Sequence, residues 1–261
     1  MKKYGLTAEF IEQWGKKLFR IKALISFGSV EAGELGGYVE KEDNLAQDGD
    51  AWVYGNARVY GDAEVYGNAM VYGNARVYGN AEVYGDAEVY GNARVYDDAR
   101  VCGDAEVYGN ARVCGNAEVC GDAEVCDDAR VCGNARVCGN AEVCGDAEVC
   151  DDARVCGNAR VCGDARVYGD ARVYGNADYL LIGRIGSRFS FTTFFKNKDK
   201  GITVSCGCFL GTIAEFRAKV TDTHGNNKHA KIYNLAADMA ELQILGEEYF
   251  DKLNANKSEP F

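Results

Sequence analysis

Residues 81–116 read AEVYGDAEVYGNARVYDDARVCGDAEVYGNARVCGN, six copies of one unit, A-x-V-[YC]-[GD]-[ND]. The unit runs unbroken from Ala51 to Asn176, 21 hexads in all, with alanine first and valine third in every one. In extended chain, residues two apart point to the same side, so alanine and valine face one way and the Arg or Glu between them faces the other. Gly followed by Asn or Asp tolerates the positive φ of a tight corner. Each hexad is therefore a short strand plus a corner, and three corners close a triangular coil of 18 residues. Seven such coils stack over about 33 Å at ~4.8 Å per coil. A helix is excluded, because a six-residue beat does not track a 3.6 period and glycine recurs too often.

Written from its valine, the unit V-Y-G-N-A-R resembles the hexapeptide repeat of left-handed β-helix proteins, aliphatic first and small fifth. That resemblance implies the left hand, which the spacing alone does not show. It also implies several functions, since the family holds acyltransferases, γ-class carbonic anhydrases and members without catalysis. Its acyltransferases use a histidine base on a coil or a protruding loop, and the hexads contain neither. Its zinc hydratases need three imidazoles between coils, which are also missing. An ice-binding face would need ranks of threonine, and the hexads have none. The expected fold class is mainly β: a single-stranded left-handed β-helix of 18-residue triangular coils, 7–8 coils, with an N-terminal cap and a small C-terminal α+β domain. The expected divisions are 1–50 for the cap, 51–177 for the β-helix and 178–261 for the C-terminal domain.

The fourth position of the hexad alternates between tyrosine and cysteine. Ten cysteines fall there between Cys102 and Cys162, and 18-residue coils sort them into three columns. These are Cys126, Cys144, Cys162; Cys114, Cys132, Cys150; and Cys102, Cys120, Cys138, Cys156. Column neighbours at ~4.8 Å are within reach of a disulfide or a soft metal. Residues 111–134 and 135–158 are identical, however, and a 24-residue duplication rotates every residue to the next face. Copying of a generic block favours free, half-buried thiols. Charge follows the same geometry: Glu88, Glu106, Glu124 and Glu142 stack in one column, and Arg58, Arg76, Arg94, Arg112 and Arg130 in the next. With 21 acidic residues and 11 arginines the hexads carry −10 of the chain's −11, and the rod should show an acidic face and a basic one.

The ends differ from the repeat. A sheet edge left open invites polymerisation, so residues 1–50 read as a cover. Thr7 caps an expected short helix with Phe10, Ile11, Trp14 and Leu18 near one face, followed by a strand over 19–24 and a turn over 33–37. Val39 and Leu45 keep the six-residue phase, which starts the β-helix one imperfect coil early. Beyond the repeat, strands are expected at 179–185, 188–195 and 201–206, then helices at 212–220 and 228–245. In the second helix Ile232, Leu235, Ala236, Met239 and Leu242 form the expected core stripe.

Two constellations there carry chemistry. Cys206 and Cys208, with His224 and His229, could hold tetrahedral zinc, although C-x-C is tighter than the usual C-x2-C and buried thiols with capping histidines are the plainer reading. Ser187, Arg188, Thr192, Thr193 and Thr212 supply hydroxyls, a guanidinium and a helix N-terminus for an anion. Zinc at the first of these is the single cofactor the sequence offers; otherwise none is expected.

LGGYVEKEDNL, IGSRFSFTTFF and CGCFLGTIAEFRAKVTDTHG resemble an uncharacterised group common in phages and prophages of gut Firmicutes. The resemblance implies a mobile-element setting and no activity. No run of 18 apolar residues occurs, and MKKYGLTAEF lacks an apolar h-region, so no membrane span or secretory signal is expected and the compartment is cytosolic. The expected function is a non-enzymatic interaction protein: a β-helical rod presenting a head that binds a host protein or a small anionic or nucleotide ligand, counteracting host defence. Homo-oligomers are expected, direct nucleic-acid binding is not. The alternatives are an acyltransferase-like enzyme using His224 or His229, a virion scaffold component, and an acidic DNA mimic, which the arginine column weakens.

Overall fold

A computed structural model describes residues 2–247. Its central region is a parallel β-solenoid with one short strand per hexad, from Trp52–Val53 to Arg172–Val173. The strands stack into three parallel ladders, one per face, and each holds seven of them. Val53 pairs with Val71, Val59 with Val77 and Val65 with Val83, so the coil is 18 residues long. The Arg58 amide donates to the Ala75 carbonyl at 3.0 Å, and the Tyr54 amide to that of Val71 at 2.8 Å. Alanine and valine of every hexad lie fully inside. Val39 pairs with Val59 and Leu45 bridges Val65, which adds one imperfect coil before the first hexad.

The N-terminal cover is a hairpin and not a helix. Tyr4–Gln13 and Lys16–Ala23 pair antiparallel, and Leu35–Val39 carries the sheet onto one solenoid face. Trp14 and Gly15, at φ +54° and +78°, make the two-residue turn that a hairpin favours. That turn breaks the 3–4 spacing of Phe10, Ile11, Trp14 and Leu18, and Thr7 lies within a strand. Residues 35–37, expected in a turn, join the strand, where the small glycines let it press on Trp52 and Ile21. Trp52, Tyr4 and Phe27 meet edge to face and close this end of the core.

The opposite end carries an antiparallel sheet of Tyr179–Ile185, Ser190–Lys196, Ile202–Cys206 and Phe209–Thr212, with helices α1 (Ile213–His224) and α2 (Lys228–Leu245). Adjacent residues on a strand face opposite sides. Phe195 therefore enters the solenoid core while Phe194 packs among Phe216, Tyr233 and Ala237 of the helices. Helix α2 presents a different face from the expected one. Ala230, Tyr233, Ala236, Ala237 and Ala240 are buried, whereas Leu235 is 63% and Met239 58% exposed. The small residues let α2 approach the sheet closely, and Arg217 of α1 pins it through Asp238 and buried Glu241, both at 2.7 Å.

Identical slots on successive coils meet as ladders. Tyr60, Tyr78 and Tyr96 stack at 5.0 Å, and Tyr72, Tyr90 and Tyr108 at 4.7 and 4.9 Å. The stacked Glu88, Glu106 and Glu124 would repel one another, and each accepts a phenol hydrogen bond, from Tyr72, Tyr90 and Tyr108 respectively. In the same way the cysteines meet at 4.6 Å between Cα atoms, and three pairs are bonded: Cys132–Cys150, Cys138–Cys156 and Cys144–Cys162. The expectation of free thiols throughout is corrected for these six, because in-register parallel pairing brings column neighbours within bonding distance. Cys102, Cys114, Cys120 and Cys126 remain thiols.

Corners set a second constraint. Gly85 has φ +75°, and a Cβ there would stand 2.9 Å from the backbone nitrogen of Gly103. Asp97, Asp127 and Asp151 occupy the same corner position at positive φ, and their carboxylates accept the amides of Gly115, Gly145 and Gly169 one coil on. Aspartate thus recovers in a hydrogen bond what it loses in strain. Gly85→Ala should destabilise the protein by about 1–3 kcal/mol, and Gly85→Asp by clearly less, measured by denaturant unfolding. Alkali supplies a further test. Burial, then the neighbouring carboxylates, raise the phenols of Tyr66, Tyr72 and Tyr90, and Tyr84 and Tyr96 are pushed up to about 12 beside Cys102 and Cys114. A raised phenol favours the fold fully below its ordinary value of about 10, and that contribution is lost as pH climbs through the folded values. Stability should therefore fall above pH ~10, with phenolate absorbance appearing late and together with unfolding.

Candidate functional site

A cleft of about 390 Å³ opens in the head between the sheet and the helices. Ser187 and Arg188 reach it from the turn after the first head strand, and Cys206, Gly207 and Cys208 from the turn between the third and fourth. One face of α1 completes the wall with Phe216, Lys219, Val220, Thr223 and His224, spaced three and four apart as helical neighbours must be. Thr212 and Glu215 form a capping box that starts α1, and Gly225 at φ +55° ends it after His224.

Tyr233 of α2 forms the floor. Its ring lies over Gly186, where an added Cβ would fall 1.9 Å from the phenol oxygen. Burial, then the Cys206 thiol, raises the Tyr233 phenol, while its hydrogen bonding with Ser187 acts the other way. Cys206 in turn accepts from the Thr192 hydroxyl at 3.2 Å. The His224 ring lies 5.8 Å from that of Tyr233 at a 25° tilt. Among the described residues Arg188 has no carboxylate partner, and Lys219 meets Asp222 at the solvent edge at 3.3 Å. The cleft therefore combines an apolar floor with Arg188, Lys219 and an imidazole at its rim, plus hydroxyl donors from Ser187 and Thr223. Such a mixture suits a small molecule with a flat body and an anionic group.

The expected anion set is only partly assembled here. Ser187 and Arg188 line the cleft. Thr192 lies beneath it, buried, behind Cys206. Thr193 faces the other side of the strand, where its hydroxyl accepts the Arg166 amide at 3.0 Å and ties the head to the solenoid. Thr212 is outside the cleft, and Glu215 already satisfies its amide. The expected zinc quartet does not assemble either: Cys206, Cys208 and His224 share the cleft, but no three of the quartet's donors come within ligating reach of one another among the described residues. His229 is on α2 beside His224, at 5.8 Å between rings, with its Nδ1 buried and unpartnered. Tyr233 and Lys219 were not anticipated; Lys219 was legible as a helical neighbour of Phe216 and Thr223 once α1 is extended to His224.

Five segments of the solenoid, residues 51–65, 63–79, 87–103, 129–145 and 165–177, match the family model described as YdcK Beta solenoid repeat. The chain is thus a repeat β-solenoid protein, similar to that family over those segments. No curated protein matches it. Gly186→Ala should drive Tyr233 from the floor and collapse the cleft while leaving the solenoid intact; near-ultraviolet circular dichroism should change and far-ultraviolet signal should not.

Proposed function

We propose that this protein is a non-catalytic binding protein in which a rigid β-solenoid carries a ligand-binding head. The observation that carries the reading is the head cleft, where Arg188, without a carboxylate partner among the described residues, joins Lys219 and His224 around the apolar floor of Tyr233 and Phe216. The ligand class it suits is a small anion with a planar apolar portion, of which a nucleotide is the leading example. The left-handed hexapeptide family supplies the framework, and the resemblance of both ends to phage and prophage proteins supplies the setting. There the role is interference with host defence, by engaging a defence protein or by withdrawing a nucleotide signal in the cytoplasm. The exposed stripe of Ile232, Leu235, Met239 and Leu242 on α2 supports a homo-oligomer, since the 3–4–3 spacing is that of a helix seam.

One observation favours a second reading. His224 shares the cleft with Cys206 and Tyr233, so an acyltransferase-like activity would have its base there and not in the coils.

A signalling nucleotide at about 100 times its Kd should stabilise the protein by about 2.7 kcal/mol, and Arg188→Ala should remove most of that shift. A thermal-shift panel of cyclic and linear nucleotides measures it. No stabilisation by any of them removes the nucleotide version, and product formation lost in His224→Ala would establish the transferase in its place.

A further inference from the structure

The solenoid wall holds a second constellation, remote from the head. The strand Arg100–Gly103 lies in register with Glu118–Gly121, which sets Cys102 directly against Cys120. Glu118 is two residues before Cys120 and projects from the same side of the strand. The two sulfurs and a carboxylate oxygen all lie within 4.8 Å of one another. Both cysteines are thiols, neither exposed nor wholly enclosed.

We propose that Cys102, Glu118 and Cys120 form a binding site for a soft divalent cation such as zinc or cadmium. Two thiolates and a carboxylate are a ligand set that zinc accepts, and three protein ligands leave a fourth position for water. Donors on one tetrahedral zinc stand about 3.7 Å apart, given Zn–S of about 2.3 Å, so side-chain rotation closes the remaining distance. The backbone does not have to move, because the parallel ladder already fixes the spacing of the two cysteines. Arg136 on the following coil donates to one Glu118 oxygen at 3.0 Å and leaves the other for the ion. It acts as a positioning residue, holding the carboxylate and offsetting the negative charge of the ligands.

The same trio recurs 24 residues on, as Cys126, Glu142 and Cys144, again within 4.8 Å. Its Cys144 is bonded to Cys162, so the second site is closed to an ion in this state. A dithiol reductant would open it: two electrons and two protons pass to the Cys144–Cys162 bond, giving two thiols, while the dithiol becomes a disulfide. Capacity for the cation is thereby tied to redox state.

Cadmium added to the full chain with its three disulfides intact is the direct test, read by thiolate-to-metal absorbance and by bound ion per chain after desalting. About one ion per chain is expected, lost in Cys102→Ser and in Cys120→Ser, with affinity about 10–100-fold weaker in Arg136→Ala. Cys102→Tyr places in this slot the residue that fills it at Tyr84, one coil earlier, and should lose the ion with the fold retained. After reduction, at least one further ion should bind and be lost in Cys126→Ser. The proposal is overturned if the unreduced protein binds no cadmium, if the ion survives Cys102→Tyr, or if it is lost instead in Cys206→Ser or Cys208→Ser, which would place it in the head.

Discussion

A backbone amide that donates to a carbonyl seventeen residues ahead, coil after coil, governs this molecule. The bond repeats only if each coil has the same length, so a single inserted residue must bulge out at a corner or put the coil that holds it out of register with the one before. It also fixes the width of the interior. A triangle with strands of two to four residues has room for alanine and valine and little else, which is why these two residues never vary across the hexads. Because every slot sits directly above its predecessor, the exterior is built of like upon like. Tyrosine stacks on tyrosine, glutamate on glutamate, cysteine on cysteine. Some of these ladders help, as the flat tyrosine stacks do. Others repel, and the structure answers with phenol donors to the Glu88–Glu124 rank and with ion pairs such as Arg136–Glu118 and Arg160–Glu142 where the column changes sign.

A parallel ladder leaves unpaired amides and carbonyls at both ends, and both ends are covered by antiparallel structure. At the start the hairpin joins one face, and Trp52 is enclosed by Tyr4 and Phe27. At the finish Phe195 enters the core, while the Thr193 hydroxyl accepts the Arg166 amide. Phe194, its neighbour, belongs to the head. One dipeptide thus divides the two cores, and the head cleft lies on the side that faces away from the solenoid.

The coil was legible because its signal is local: a period of two along the strand and a corner residue every six. The α+β character of the head and the bounds of α2 were legible for the same reason. Orientation was not. The 3–4 spacing of Ile232, Leu235, Met239 and Leu242 shows that they share a face, but the contact is made by the face of Ala230, Tyr233, Ala236, Ala237 and Ala240. At the start of the chain, Phe10, Ile11, Trp14 and Leu18 mimic a helical stripe, and only the Trp14-Gly15 turn tells otherwise. The expected anion set divides at Thr192 and Thr193, adjacent in sequence and opposite in space. Tyr233 was invisible as a site residue because its place in the cleft depends on how α2 lies across Gly186.

The three-cornered cross-section couples length to direction. Gaining or losing one hexad lengthens or shortens the solenoid by only about 1.6 Å, a third of the ~4.8 Å rise, but swings whatever it carries by roughly a third of a revolution. Repeat number therefore works as a compass setting: two chains differing by a single copy would have nearly equal reach and would aim their heads at different quarters, and a difference of three copies would restore the bearing.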